Sequence, residues 1–114
     1  MAAVVNQRPI FARRLAQARL QKGLSQTELG LRVGMEPSVA SPRVNQYEHG
    51  VHEPKIAMAK KLADALGIPP AFLYCEDELL AKLLLRWGDL TITQKRALLK
   101  QAGVSGKTNP PTAA

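Results

Sequence analysis

The segment PRVNQYE, at residues 42–48, carries three polar side chains whose chemistry suits the edges of nucleic-acid bases. An arginine such as Arg43 pairs with the acceptors of guanine in the major groove, and the amides of Asn45 and Gln46 match adenine. Seen by itself, a polar face on a short helix is more often simply hydrated. The role of these side chains therefore depends on the elements that position them.

Other residues that can do chemistry do not form a recognisable site. His49 and His52 lie three positions apart, and Cys75 is far from both in sequence. Three such residues are too few for a closed zinc site. No nucleophile stands in a recognisable sequence context, and there is no glycine-rich phosphate loop or catalytic pair. We expect no metal, no cofactor and no enzymatic activity.

Two helices are predicted before the polar segment. Apolar residues recur at helical spacing between residues 10 and 22, and a glycine follows as a stop. The next four-residue motif, SQTE, is a capping box, in which Ser25 and Glu28 satisfy each other's backbone amides. A second helix is therefore predicted from residue 26 to about residue 33.

Two prolines, Pro37 and Pro42, decide where the third helix begins. A helix that started near Glu36 would hold Pro42 in its interior, at a cost of about 3 kcal/mol. Proline suits the first position of a helix, and Ser41 is a good N-cap. The sequence therefore predicts a third helix over residues 42–49.

Small and β-branched residues follow the spacing of a helix-turn-helix unit. Counted from Gln26, Gly30 is at the fifth position, where a small residue lets two helices approach, and Gly34 makes the turn at the ninth. The β-branched anchor of the third helix is best matched by Val44, four residues after the usual position at Ala40. The turn is therefore predicted to be enlarged by four residues.

A resemblance to the lambda-repressor-like helix-turn-helix family, of the Xre and Cro type, is carried by three segments: FARRLAQARLQKGLSQTELGLRVG, VNQYEHG and PKIAMAKKLADALGIPPAFL. It covers roughly residues 11–74. The resemblance implies an all-α fold, with a five-helix lambda-repressor-like DNA-binding domain, an extended turn between helices 2 and 3, and two further C-terminal helices.

The resemblance also implies which residues meet DNA. The third helix enters the major groove, so the candidates for reading bases are Arg43, Asn45 and Gln46. The start of the second helix contacts phosphate, and basic residues nearby assist it. The candidates for phosphate contacts are Gln26, Thr27, Ser41, Arg14 and Lys22. Arg19 is expected to form a structural ion pair with Glu48, which holds the first helix against the third.

The two predicted C-terminal helices carry a broad apolar stripe: Leu79, Leu80, Leu83, Leu84 and Trp87, followed by Ile92, Leu98 and Leu99. The stripe either completes the core or forms a dimer interface. Because one short recognition helix covers few base pairs, two half-sites about 34 Å apart are the usual source of specificity, which favours a dimer. The predicted organisation is a flexible arm (1–9), a DNA-binding domain (10–75), a helical extension (76–103) and a disordered tail (104–114).

Charge and composition agree with a nucleic-acid partner. The formal net charge is +7, and the excess lies in the N-terminal third and the extreme C-terminus. One cysteine, no signal peptide and no apolar stretch of roughly 20 residues favour a cytoplasmic protein without a membrane partner. We expect a bacterial or phage transcriptional regulator, a repressor that binds an inverted-repeat operator in double-stranded DNA as a homodimer. The rival is an antitoxin or bridging module whose C-terminal helices bind a protein partner.

Overall fold

The computed structural model describes residues 8–104, which form six α-helices and one 3₁₀ helix and contain no strand. The helices are α1 (Ile10–Lys22), α2 (Gln26–Arg32), α3 (Pro37–Glu48), α4 (Ile56–Leu66), the 3₁₀ helix (Pro70–Tyr74), α5 (Glu78–Trp87) and α6 (Ile92–Gln101). The all-α prediction is confirmed. The predicted arm and tail lie almost wholly outside the described residues. None of the helices in the described range has the length and apolar character needed to cross a membrane.

Local capping sets the start of three helices. The predicted capping box is formed: Ser25 and Glu28 exchange hydrogen bonds of 2.8 and 3.0 Å at α2. Thr91 and Gln94 do the same at α6, with distances of 2.8 and 3.1 Å. At α5 the carboxylate of Asp77 accepts from a backbone amide of the first turn, at 3.0 Å. These bonds satisfy amide groups that have no partner inside a helix.

One core is built by the elements of residues 10–75. Its largest fully buried side chains are Phe72, Leu15, Leu29, Leu62, Leu73 and Val44. They come from α1, α2, α3, α4 and the 3₁₀ helix, so every element of this region contributes to the same core. The position of α3 relative to α1 and α2 is therefore fixed by packing.

The third helix begins at Pro37, so the predicted start at Pro42 is wrong. Pro37 stands in the first turn, where its fixed φ suits a helix, and Pro42 lies inside the helix. The interior proline is tolerated because Ala40 and Val44, one turn apart, are both fully buried, whereas Pro42 lies on the exposed side. Ser38, whose carbonyl the proline cannot pair, is also an exposed residue. The four residues assigned to an enlarged turn therefore form an additional helical turn.

Close contact between α2 and α3 depends on Gly30. A Cβ atom at this position would lie 2.5 Å from the Cβ of Ala40, which is too close for any side chain. Ala40 thus occupies the usual anchor position, and Val44 adds a second anchor one turn later. The connection between the two helices is short, and Gly34 within it has a φ of 91°.

The C-terminal helices are packed less completely. α5 buries Ala81 and half-buries Leu84 and Leu85 against the core. After α5, Gly88 lies so close to the carbonyl of Gly67 that a Cβ would not fit. α6 buries none of its residues. Completion of the core, one of the two expectations for this region, thus applies to one face of α5.

Candidate nucleic-acid interface

One buried carboxylate, that of Glu48, joins α1, α2 and α3. It is 3% exposed. Arg19 donates to it twice, from Nε to Oε2 at 2.6 Å and from Nη2 to Oε1 at 3.0 Å. Gln26 adds a third bond, from Nε2 to Oε1 at 3.2 Å. The ion pair expected between Arg19 and Glu48 is therefore present, with the bidentate geometry that an arginine favours.

The hydrogen bonds to Glu48 raise the pKa of Arg19, an effect that outweighs the opposite influence of partial burial. The guanidinium therefore stays charged at any pH at which the fold persists. Its remaining nitrogen, Nη1, donates to the carbonyl of Leu24 at 2.9 Å. Arg19 thus ties the end of α3 to α1 and to the loop that leads into α2.

Gln26, at the start of α2, is held from two sides by α3. Its amide nitrogen donates to Glu48, and its amide oxygen accepts from the hydroxyl of Ser41 at 3.4 Å. Thr27 follows it as an exposed residue of the same turn. The predicted phosphate contacts Gln26, Thr27 and Ser41 therefore form one group at the junction of α2 and α3. Ser41 lies in the second turn of α3, however, and not in an enlarged loop.

The outward face of α3 can be located from the residues on its buried face. Ala40, Val44 and Tyr47 point into the core. At about 100° per residue, the opposite side of the helix is occupied by Ser38, Pro42 and Gln46.

The three predicted base-reading residues do not share one direction. Pro42 is near the centre of the outward face, Asn45 and Gln46 lie on either side of it, and Arg43 is farther round the helix, toward one edge. Asn45 and Arg43 are both exposed, but about 160° of helical rotation separates them. The helix therefore brings Asn45, which is exposed, and Gln46, which is half-buried, to the outward face, and it directs Arg43 toward one edge.

Two further residues, Ser38 and Val39, were not predicted to lie on the recognition helix, because its first turn was taken for a loop in which Ser38 could hold phosphate. Ser38 is exposed, and Val39 is 42% exposed although it is apolar. Residues at the N-terminal end of a recognition helix are the ones that reach base edges. A signal was present in the sequence, since Pro37 is as good a first helical residue as Pro42.

The flank that carries Arg43 continues into the loop before α4. Arg43, Tyr47, His52, Glu53 and Lys55 surround a shallow depression there. Sequence analysis assigned no role to Lys55. Two cations, one from the helix and one from the loop, therefore lie on the same edge of this surface, where Glu53 lines the same depression.

Arg14 is not part of this surface, and the prediction that it contacts phosphate is wrong. It is 2% exposed. Its Nε donates to the carbonyl of Cys75 at 2.7 Å, Nη2 to Glu78 at 3.1 Å and Nη1 to Gln17 at 2.9 Å. The guanidinium also lies over the ring of Phe72, 5.7 Å from its centroid. Arg14 therefore links α1 to the start of α5 and has no free face for an anion.

Lys22 also points away from the junction of α2 and α3. Its ammonium lies 3.0 Å from the place where a Cβ of Gly67 would be. Leu85 and Asp89 border the same small depression. The head group is thus directed toward the C-terminal helices, a position that gives no support to the predicted phosphate contact.

The possible metal ligands are not grouped either. Within residues 8–104 no three side chains of the ligating types lie together. Cys75 is buried, and its Sγ lies 3.4 Å from the carbonyl of Asp77. The Nδ1 atom of His49 lies 2.9 Å from the carbonyl of Asn45.

Comparison with known proteins agrees with this geometry. The helix-turn-helix family matches residues 15–73, more than half of the chain. A solved structure, the crystal structure of the transcriptional regulator BswR, is 40% identical in sequence with a TM-score of 0.76. The alignment covers 81% of this chain and 91% of that one. No curated protein matches the chain at a significant level.

Proposed function

The chain belongs to the lambda-repressor-like helix-turn-helix family of the Xre type, whose members are DNA-binding transcriptional regulators, and we propose that it represses transcription by binding an inverted-repeat operator as a homodimer. An enzymatic activity does not fit this membership, in agreement with the sequence analysis. Repression would follow from occlusion, because a protein seated on an operator excludes other proteins from the same DNA.

The observation that carries the proposal is the way α3 is held. Its buried side is anchored by Ala40 and Val44, and its C-terminal end is fixed to α1 by Glu48. A helix fixed in this way presents its outward face without the entropic cost of ordering it on binding. Asn45 and Gln46, on that face, are the leading candidates for base contacts, and their amides match adenine.

The residues around Gln46 extend the reading surface. Arg43 reaches toward one wall of the groove, where an arginine can pair with guanine. Ser38 and Val39, in the additional first turn, lie at the end of the helix that approaches bases most closely. Because Val39 is apolar and exposed, the methyl group of thymine is the feature it suits.

Phosphate contacts are assigned to the group at the junction of α2 and α3. The Gln26 amide is already oriented by Ser41 and Glu48, so it can meet a phosphate oxygen with little rearrangement. Thr27 offers an exposed hydroxyl beside it. Lys55 supplies a cation on the opposite edge of α3. Since such contacts displace counterions, affinity should fall steeply as the salt concentration rises.

A selection from a randomised duplex pool at near-physiological salt tests the proposal. The expected result is an enriched inverted repeat whose half-site centres lie about one helical turn, roughly 34 Å, or a multiple of it, apart. Enrichment of a single half-site would support sequence reading and contradict the dimer. Salt-sensitive binding with no enriched sequence would contradict the base-reading role of α3.

A further inference from the structure

α3 carries one exposed aliphatic side chain on a surface that is otherwise polar or proline. Val39 is 42% exposed and lies in the first turn of the helix. The other exposed residues of α3 are prolines or polar residues. Because valine is branched at Cβ, a helix holds it in one strongly preferred rotamer, so its methyl groups point in a fixed direction before any ligand arrives. Val39 therefore presents a small, rigid apolar contact at the end of the recognition helix that comes nearest to bases.

Arg43 lies one helical turn after Val39, on the same side of α3. Four residues turn a helix by about 400°, so the two side chains differ in direction by only about 40°. Arg43 is exposed, and neither of the two ion pairs found among residues 8–104 includes it. Arg14 and Arg19, in contrast, are each bound to a carboxylate. The guanidinium of Arg43 therefore keeps its hydrogen-bond donors available for a ligand.

The spacing of Val39 and Arg43 matches that of neighbouring base pairs. Four residues of an α-helix advance by about 6 Å along its axis. Successive bases of one strand are about 3.4 Å apart along the duplex, so the two residues lie less than two base-pair steps apart when the helix follows the groove. The C5-methyl group of thymine suits valine, and the O6 and N7 acceptors of guanine suit arginine. One short element of sequence can therefore meet both side chains.

We propose that Val39 contacts the C5-methyl group of a pyrimidine and that Arg43 binds a guanine no more than two base pairs away. The inference rests on the proposed function, for which it names one element of the operator. Valine has no hydrogen-bonding group, so it meets the methyl group without distinguishing the O4 atom of thymine from the amino group of cytosine. Thymine and 5-methylcytosine are therefore equivalent for Val39, and its contact with a cytosine depends on methylation.

The surroundings of Val39 favour a base over a protein as its contact. A protein-binding surface needs several apolar side chains that exclude water together, usually around an aromatic or arginine anchor. Ser38 is exposed beside Val39, and Asn45 is exposed on the outward face of the same helix. The methyl group of a pyrimidine is an apolar feature in a groove that is otherwise polar. A lone valine among hydrogen-bonding residues therefore matches a base edge.

Uracil scanning of the sequence enriched from the duplex pool tests the contact of Val39 in the full chain. Replacement of a thymine by uracil removes only the C5-methyl group. At one thymine of a half-site, this change should weaken binding of the wild type about fourfold, because one buried methyl group is withdrawn. Val39→Ser should bind the two duplexes equally. Val104→Ser, at a 52% exposed valine outside α3, is the matched control and should keep the fourfold difference.

Cytosine methylation gives a second test at the same base pair. When the sensitive thymine is replaced by cytosine, methylation of that cytosine at C5 should strengthen binding of the wild type about fourfold. Val39→Ser should bind the methylated and unmethylated duplexes equally. Unchanged or weaker binding of the wild type on methylation would overturn the equivalence of thymine and 5-methylcytosine.

The contact of Arg43 is tested by replacement of guanine with 7-deazaguanine, which lacks the N7 acceptor. One such replacement, no more than two base pairs from the sensitive thymine, should weaken binding of the wild type about fivefold or more. Arg43→Ala should lose this difference and keep its sensitivity to uracil, because Val39 is unchanged. If the guanine that Arg43 binds lay three or more base pairs from that thymine, the two side chains would not share one element.

Failure of this inference and failure of the proposed function are distinguishable. If a sequence is enriched but no uracil replacement weakens binding, operator reading stands and the inference fails. The same holds if Val39→Ser keeps the fourfold difference, because another residue would then contact the methyl group. If no sequence is enriched from the pool, both the proposed function and the inference fail, since no base is read.

Discussion

The leucine side chains of residues 10–75 and those of the two C-terminal helices differ in burial. Leu15, Leu29 and Leu62 are fully buried in one core, whereas Leu79 and Leu80 are largely exposed. Burial of a leucine side chain contributes about 1.5 to 3 kcal/mol. The first region therefore obtains its stability within one chain, while the second gains most of that contribution only when another molecule covers it.

The ion pairs of the two regions differ in the same way. Arg19 and Glu48 are both largely withdrawn from water, with side-chain exposures of 13% and 4%. In the pair that joins the regions, Arg14 is buried but the side chain of Glu78 is 65% exposed. The first pair is integral to the DNA-binding domain. The second joins the core to α5 through a carboxylate that remains largely in water.

Removal of the Glu48 carboxylate should have the largest effect. Glu48→Ala leaves Arg19 without its partner in a mostly buried position, and the free energy of unfolding should fall by about 3 to 5 kcal/mol. Urea unfolding monitored by circular dichroism measures the change. The double variant Arg19→Met with Glu48→Leu removes both charges and should recover much of the loss. A loss below about 1 kcal/mol for Glu48→Ala would mean that the pair behaves like a surface pair.

Substitution of Pro42 tests where α3 begins, which was predicted wrongly from the sequence. Pro42→Ala should raise the free energy of unfolding by about 1 to 3 kcal/mol, because an alanine restores the amide donor inside the helix. Pro37→Ala is the matched control and should have little effect, since proline suits the first turn. If Pro42 instead began the helix, Pro42→Ala would also have little effect.

Substitution of Gln46, on the outward face, should change specificity rather than stability. Gln46→Ala should reduce discrimination at one base pair by about 1 to 3 kcal/mol, measured by competition with operator variants. Gln21→Ala, an exposed glutamine on α1, is the control and should leave discrimination unchanged. Equal losses on all sequences would assign Gln46 to the DNA backbone instead.

The ion pair between Arg14 and Glu78, which joins the two regions, should be sensitive to acid. The hydrogen bond from Arg14 holds the pKa of Glu78 below its usual value of 4.5. The stabilisation is therefore present above about pH 4.5 and is lost as the pH falls through the lowered pKa. The melting temperature of the wild type should drop more than that of Glu78→Gln over this range. If the melting temperatures of the two proteins fell by the same amount over this range, the pair would contribute nothing to stability.

The local features of the fold could be predicted, because their causes lie within a few residues. The capping boxes at Ser25 and Thr91 need only a hydroxyl and a partner three positions later, and both are formed. The ion pair of Arg19 with Glu48 spans 29 positions, and it was expected only through the family resemblance. No local pattern connects two residues so far apart.

The errors arose where tertiary contacts outweighed a local preference. The start of α3 was judged from the cost of an interior proline, but the fit of Ala40 against Gly30 outweighs that cost. Arg14 was assigned to phosphate because of its charge, whereas its environment places it among Cys75, Glu78 and Phe72. Residue type indicates what a side chain can bind, but not whether the fold leaves it exposed.

The amino-acid sequence by itself determined the helical elements, the family and the amphipathic pattern of α5 and α6, because periodicity and capping act over one or two turns. Only the tertiary structure decided which residues of α3 point outward, which arginine is buried, and which face of α5 stays uncovered. Those properties depend on the packing of helices that are distant in sequence. Burial and exposure are consequences of the assembled core and cannot be assigned to any one segment.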